Sequence, residues 1–442
     1  MLTAANHPMP PSLPPEIIDE IIASISDETL RESNRTLLNC ALVCRDWLPA
    51  SRSQLLNFLD LTTNTAYDSF VENVLHSDRL EPCLASTESV WLTDPSEYDE
   101  PPPQGDAARG WTYRFVHDFA GHLPNLESLT IEEADWTTGR PLHPRAHLVV
   151  SRFSSLKQLS LSDCKLPSAQ TMRRMVSALS GSLEKLELTN VTWPVARGEL
   201  EASTTYATHV PGPALNTLYL SCRRGDNDCL APFLRWLSHT PTRSSLRDLS
   251  FRSMRTDVSP HANDYMAFVK TVAPRLTELN ISLTPLGHIP FHLLSSLEDL
   301  TLGFGLRSQG HWHTVVRSLP TLPSEARIRH LGFTIWLKAA MQPPDLPGQD
   351  QLRSPASIDI DGLELLEEAL QKARAFRDLE SVEITVLGDT SYTESGAAEA
   401  EARILGVVQQ MLPSLASKGI ISVGWSGLVH DSKSSPNADT DK

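Results

Sequence analysis

The chain has 442 residues, 40% of them hydrophobic and 21% charged, a balance that suits folded protein rather than disordered chain. Its formal charge of -16 argues against a nucleic-acid backbone or an anionic membrane as the main partner. Six cysteines without framework spacing fit a reducing compartment. No run approaches the roughly 18 apolar residues of a membrane span, and residues 1–15 lack a basic-then-apolar secretory signal. The expected location is the cytoplasm or the nucleus.

Residues 1–11 are expected to be flexible. Ser12-Leu13-Pro14-Pro15-Glu16 then opens a helix: Ser12 can cap it, the prolines sit where backbone N–H groups lack partners, and Glu16 complements the helix dipole. Ile17, Ile21 and Ile25 recur at i, i+4 and i+8, and Ile18 and Ile22 widen the stripe. A polar break covers residues 26–35. The spacing of Leu37, Leu38, Ala41, Leu42, Val43 and Trp47 predicts a second helix from about Thr36 to Leu48, ended by Pro49. A third apolar segment runs from Leu55 to Leu61. A box spanning residues 12–60 is near the size below which a domain needs outside help to bury its core. Left undocked, Leu13, Pro14 and Trp47 would make a sticky patch. Cys40 and Cys44, at i and i+4, have no His or Cys pair nearby and make a poor zinc site.

Residues 61–430 follow a different rule. Tyr67 to Leu75 reads as a short helix, and Ser89-Val90-Trp91-Leu92 as the first strand of an array. Proline-rich loops are expected near 94–110 and 342–355. Between them a unit LxxLxL recurs, starting at Leu126, Leu156, Leu183, Leu215, Leu246, Leu276, Leu297, Ile328 and Leu379. The first six starts span 150 residues in five steps, a mean of 30. A fixed period of this size with apolar residues at positions 1, 4 and 6 resembles the leucine-rich-repeat family. Repeats also explain how 442 residues fold without one oversized core. The implied fold is α/β: a small all-α N-terminal domain, then a solenoid with a parallel sheet on the concave side and helices on the convex side. Outer helices are expected at Ser168–Leu179, Cys229–Leu237, Tyr265–Val272 and Gly362–Ala373. The steps of 21 residues from Leu276 and 51 from Ile328 break the period, and only the copy at Leu156 keeps the following Cys164 and Leu166. Ser395–Met411 reads as a helix and Ile420–Val423 as a last strand. Residues 431–442 are expected to be disordered.

With the repeats behind it, the N-terminal box gains meaning. Leu13-Pro14-Pro15-Glu16-Ile17 followed by Leu42-Val43-Cys44-Arg45-Asp46-Trp47 resembles an F-box, whose pattern is LPxE and then a VCrxW-like second helix, here ahead of leucine-rich repeats as in many members of that family. The segment between, residues 26–36, is longer and more charged than the family's usual link. The resemblance implies a substrate-receptor subunit of an SCF-type ubiquitin ligase. Its adaptor, which links to a cullin, would be bound through Leu13, Pro14, Ile17, Leu42, Val43, Cys44 and Trp47. The alternative is a leucine-rich-repeat scaffold that builds no ligase, with the box as an end cap.

Alternation along each strand sends positions 3, 5, 7 and 8 toward a concave face carrying Glu132, Glu133, Asp163, Glu187 and Asn280. Tyr219, Arg252, Phe304 and Trp336 are the candidate target contacts there, because large aromatics and Arg dominate interface hot spots. The target is a protein of unknown identity. No catalytic residue, metal ligand set or cofactor motif emerges: His311-Trp312-His313 lacks a partner carboxylate or Cys, and no glycine-rich phosphate loop is present.

Overall fold

A computed structural model of the protein describes residues 13–25, 30–94, 111–137, 146–194, 212–222, 229–253, 262–283, 289–304, 311–336, 362–387 and 394–425. The flexible segment expected at 1–11, most of both proline-rich loops and the tail lie outside the described residues. The chain divides into two compact units. The first runs to Pro167 and includes Gly181–Leu183; the second comprises Ser168–Ser180 and the chain from Glu184 onward.

The first unit opens with three helices: α1 Pro15–Ser24, α2 Leu30–Val43 and α3 Trp47–Asn57. Two boundaries differ from the sequence expectation. Helix α2 starts at Leu30 rather than Thr36, because no Gly or Pro interrupts residues 30–43, and polar residues there continue a helix without marking an apolar face. Pro49 does not end a helix but lies in the first turn of α3, where its missing N–H costs nothing. Ile18, Ile22 and Leu37 form a small core, against which Ile25, Cys40, Trp47, Ala50 and Leu55 pack partly buried. Buried Ser33 reinforces it, donating its hydroxyl to the Ile25 carbonyl at 2.9 Å.

Strands β1 Phe58–Leu61, β2 Ser89–Thr93, β3 Ser128–Glu132 and β4 Gln158–Ser162 pair in chain order, all parallel. The array therefore begins one strand earlier than expected, at Phe58, where Leu59 and Leu61 are buried. Behind the strands an aromatic stack fills the unit: the Phe115 ring lies 6.0 Å from Phe153 at 5° and 5.0 Å from Phe119. Tyr67 sits beside it and donates its phenol to Asp118 Oδ2 at 2.7 Å.

In the second unit β5 Lys185–Thr189, β6 Thr217–Cys222, β7 Asp248–Ser253, β8 Glu278–Leu283, β9 Asp299–Phe304, β10 His330–Trp336, β11 Ser381–Leu387 and β12 Ile421–Trp425 likewise pair parallel in chain order. Equivalent repeat positions face each other, so Leu218, Leu249 and Leu279 align across three strands. Of the positions 1, 4 and 6 named above, all are buried except Phe251 and Leu379, which are half-buried. A backbone device fixes this register. The carbonyl at position 2 accepts two N–H groups from the next repeat: Asn216 from Arg247 and Asp248, Arg247 from Thr277 and Glu278, Thr277 from Glu298 and Asp299. These strands with buried 1-4-6 triads are leucine-rich-repeat architecture.

Outer segments follow the step length. The Ser168 hydroxyl accepts from Thr171 N at 3.2 Å and caps the helix Ala169–Ala178. Helices Leu230–Leu237, Ala262–Val272, Glu364–Lys372 and Glu394–Met411 lie where the apolar spacing put them. Thr112–Asp118, Ala146–Val150 and His311–Ser318 are helical without having been foreseen. In the 21-residue step the described residues between the strands carry the 3-10 turn Phe291–Leu293 in place of an α-helix.

Candidate functional site

The N-terminal helices present apolar surface outward. Ile18 and Ile22 turn into the small core, so Leu13, Ile17 and Ile21, four residues apart, face solvent. On α2, Leu37 points inward, while Leu38 (56% exposed), Leu42 (84%) and the adjoining Val43 (64%) point out. Elsewhere among the described residues only Trp91, Leu148 and Leu365 are comparably exposed large hydrophobics. Pro14 and Cys44 are also exposed, so six of the seven residues expected to hold the adaptor lie on the surface. Trp47 is half-buried against the core and supports the helices from within.

The second surface is the strand face left open by the outer segments. Tyr219, at position 5 of β6, is half-buried, and Arg252, at position 7 of β7, is exposed with its guanidinium carbon 5.6 Å from the Tyr219 ring centroid. The structure brings these two together. Phe304 is not part of this face. It is 4% exposed and packs 5.1 Å from Trp312 and 6.0 Å from Phe333. The reason is strand length: β9 continues through position 8, and alternation returns that residue to the side of positions 4 and 6. Cys222, Ile335 and Val386 are buried at the same position of their strands. In β3, β4 and β5 the strand stops one residue earlier, and position 8 takes a left-handed backbone at Glu133 (φ 58), Asp163 (φ 53) and Asn190 (φ 52). Trp336 ends β10 opposite Leu387; its side chain lies outside the described residues.

Sequence reasoning missed strand residues in both units. Trp91, at position 5 of β2, is exposed between Asp60 and Thr130. Asp248, Glu278 and Asp299 occupy position 3 of three adjacent strands and are register partners. Burial raises the carboxyl pKa of all three; Glu278 is raised further by Asp248 and Asp299 on either side, and at Asp299 the nearby His330 opposes the effect. Counting alternation outward from each LxxLxL would have found them, whereas ranking residues by hot-spot propensity passed them over.

The missing Cys164 and Leu166 equivalents have replacements. Ala134 and Val191 fill the Cys164 place, and Trp136 and Trp193 the Leu166 place, all buried. Cys164 itself is held by the carbonyls of Ile131 and Ser162, and burial pushes its thiol up to about 12. Among the described residues no group of three or more His, Cys, Asp or Glu is arranged to hold a metal, and no helix is long and apolar enough to cross a membrane.

No family model matches the chain, and no curated protein matches it. Among solved structures, a leucine-rich-repeat protein of Leptospira interrogans is similar at 12% identity, covering 76% of this chain and 91% of that one with a TM-score of 0.18.

Proposed function

We propose that the chain is a non-catalytic substrate receptor of an SCF-type ubiquitin ligase. The α1 and α2 surface docks the small adaptor that joins the cullin, and the open strand face takes a protein target. The observation behind this reading is the set of aliphatic side chains, Leu13, Ile17, Ile21, Leu38, Leu42 and Val43, turned to solvent beside a core whose fully buried members among the described residues are Ile18, Ile22 and Leu37. Apolar groups that could be buried stabilise by roughly 1.5–3 kcal/mol each when removed from water, so helices carrying them outward are shaped for a partner. They fall on the two segments that resemble an F-box. The ligase chemistry would belong to other subunits. This chain would act by proximity, raising the effective concentration of a target lysine, and needs no cofactor, metal, nucleic acid or membrane.

The test is co-purification of the full chain with adaptor and cullin, wild type against Leu42→Asp. Leu42 is the most exposed of the set and outside the small core, so the variant keeps its fold. Stoichiometric adaptor with wild type and none with Leu42→Asp is the expected result. A folded wild-type chain that captures no adaptor overturns the ligase reading and leaves a leucine-rich-repeat binding scaffold, which the open strand face supports without the box.

A further inference from the structure

Position 3 of the strand face carries a row of acids in the second unit. Asp248, Glu278 and Asp299 are direct register partners on β7, β8 and β9. Neighbouring strands lie about 4.8 Å apart, so the row spans roughly 10 Å. Thr217 is the register neighbour of Asp248 and hydrogen-bonds to it; Lys185, one strand further, is already paired with Glu187 at 2.8 Å, and at the other end His330 Nε2 is 3.8 Å from Asp299. Glu278, exposed in the middle, has no cation paired with it among the described residues. Three carboxylates side by side on a rigid sheet repel one another, and a cation laid across them would relieve that repulsion.

A second observation points to the same place. Ser250, two residues after Asp248 and so on the same face, is 8% exposed, and its hydroxyl has no hydrogen-bond partner among the described residues. It lies in register between Tyr219 and Asn280. A buried hydroxyl left unpaired is a cost that a bound polar group can remove. Arg252, at position 7 of the same strand, is stacked on Tyr219 rather than paired with the row.

We infer that the open face of β7, β8 and β9 docks an extended segment of a partner protein carrying Arg or Lys at alternate positions, its cations on Asp248, Glu278 and Asp299 and a polar group on Ser250. Extended chain advances about 3.3 Å per residue, so two cations at alternate positions sit about 7 Å apart and fit within the row of roughly 10 Å, each lying between neighbouring carboxylates. Arg suits it best, since its planar fork pairs with carboxylates through two hydrogen bonds. The inference rests on the reading of the strand face as the target surface and is independent of the adaptor.

A fluorescein-labelled Gly-Arg-Gly-Arg-Gly-Arg-Gly peptide, titrated with the full chain by anisotropy, tests it. Because a chain of charge -16 attracts any cation, the row variant Asp248→Asn/Glu278→Gln/Asp299→Asn is compared with Glu72→Gln/Asp78→Asn/Glu399→Gln, which alters the charge equally at exposed sites elsewhere. The row variant should weaken binding at least tenfold and the distant one less than twofold, with Ser250→Ala weakening it about threefold or more. Equal weakening by the two triples, no saturable binding to wild type, or an unchanged Ser250→Ala affinity would each overturn the inference. Amides in place of mutually repelling carboxylates leave the fold intact, which far-UV circular dichroism checks. Failure retires the basic occupant alone; the ligase reading fails separately, in the Leu42→Asp co-purification.

Discussion

The guanidinium of Arg252 stacks over the ring of Tyr219, 5.6 Å from its centroid, from one strand to the next on the open face. An exposed pair of this kind contributes about 0.5–1 kcal/mol and holds a long side chain in one orientation. Tyr219→Ala should therefore lower the free energy of urea unfolding by about 1 kcal/mol, and Tyr219→Phe should leave it unchanged because the ring supplies the attraction. A Phe variant as damaged as the Ala variant would show that the hydroxyl, not the π face, matters.

Phe304 behaves in the opposite way. Buried against Trp312 and Phe333, it should cost about 3–5 kcal/mol when replaced by Ala, as large core truncations do. Asn280→Ala on the open face should stay within about 0.5 kcal/mol. Equilibrium denaturation of both variants decides whether position 8 of β9 belongs to core or surface.

The acidic row predicts a pH dependence of defined sign. Asp248, Glu278 and Asp299 have folded-state pKa values above their ordinary ones, so at pH values between the two the folded state binds more protons than the unfolded state. Their contribution makes stability fall as pH rises out of the ordinary carboxylate range through the raised values. Asp135 acts in reverse. Its pKa is lowered despite desolvation, the largest influence, by hydrogen bonds from Thr137 and Lys165. The informative quantity is thus the difference between wild type and the triple amide variant. Chemical-denaturation midpoints should show the amide variant gaining relative stability as pH goes from 4 toward 7, and a pH-independent difference would exclude the raised values.

Trp47 and Leu42 belong to the same box and should separate in a proteolysis assay. Trp47→Ala removes a side chain from a small core and should speed cleavage within residues 13–57, whereas Leu42→Asp, on the surface, should not. Loss of a partner by Trp47→Ala alone therefore reports folding. Equal protection of the two variants would take Trp47 out of the core.

Thiol labelling offers a check on burial. Cys164 and Cys222 are buried, and desolvation pushes both thiols up to about 12, while Cys44 is exposed. Under native conditions iodoacetamide should modify Cys44 first, with Cys164 and Cys222 reacting only after unfolding, as mass spectrometry would resolve. Early modification of Cys164 would contradict its packing.

The repeats were legible because their signal is redundant: three apolar positions recur nine times, so substitutions such as Phe251 do not hide the period. Helices with a strong apolar stripe, such as Leu230–Leu237, were equally plain. Helix α2 was misread at its start because residues 30–35 carry no stripe, although nothing in them resists helix. Phe304 was misplaced because strand length decides the side on which position 8 emerges. That length depends on whether a residue such as Asp163 adopts a left-handed backbone, and residue type signals this only weakly. Ser250 was invisible for a further reason: a serine at position 5 carries no sign in its own sequence context of being buried.

Glu278 and Asp299 are strand partners across 21 residues of chain, and His330 and Ser381 are strand partners across 51. A visitor to the strand face meets the same advance in both cases, because the ruler along it counts strands and not amino acids. Segments between the strands can therefore differ in length from repeat to repeat while the spacing of the strands stays the same.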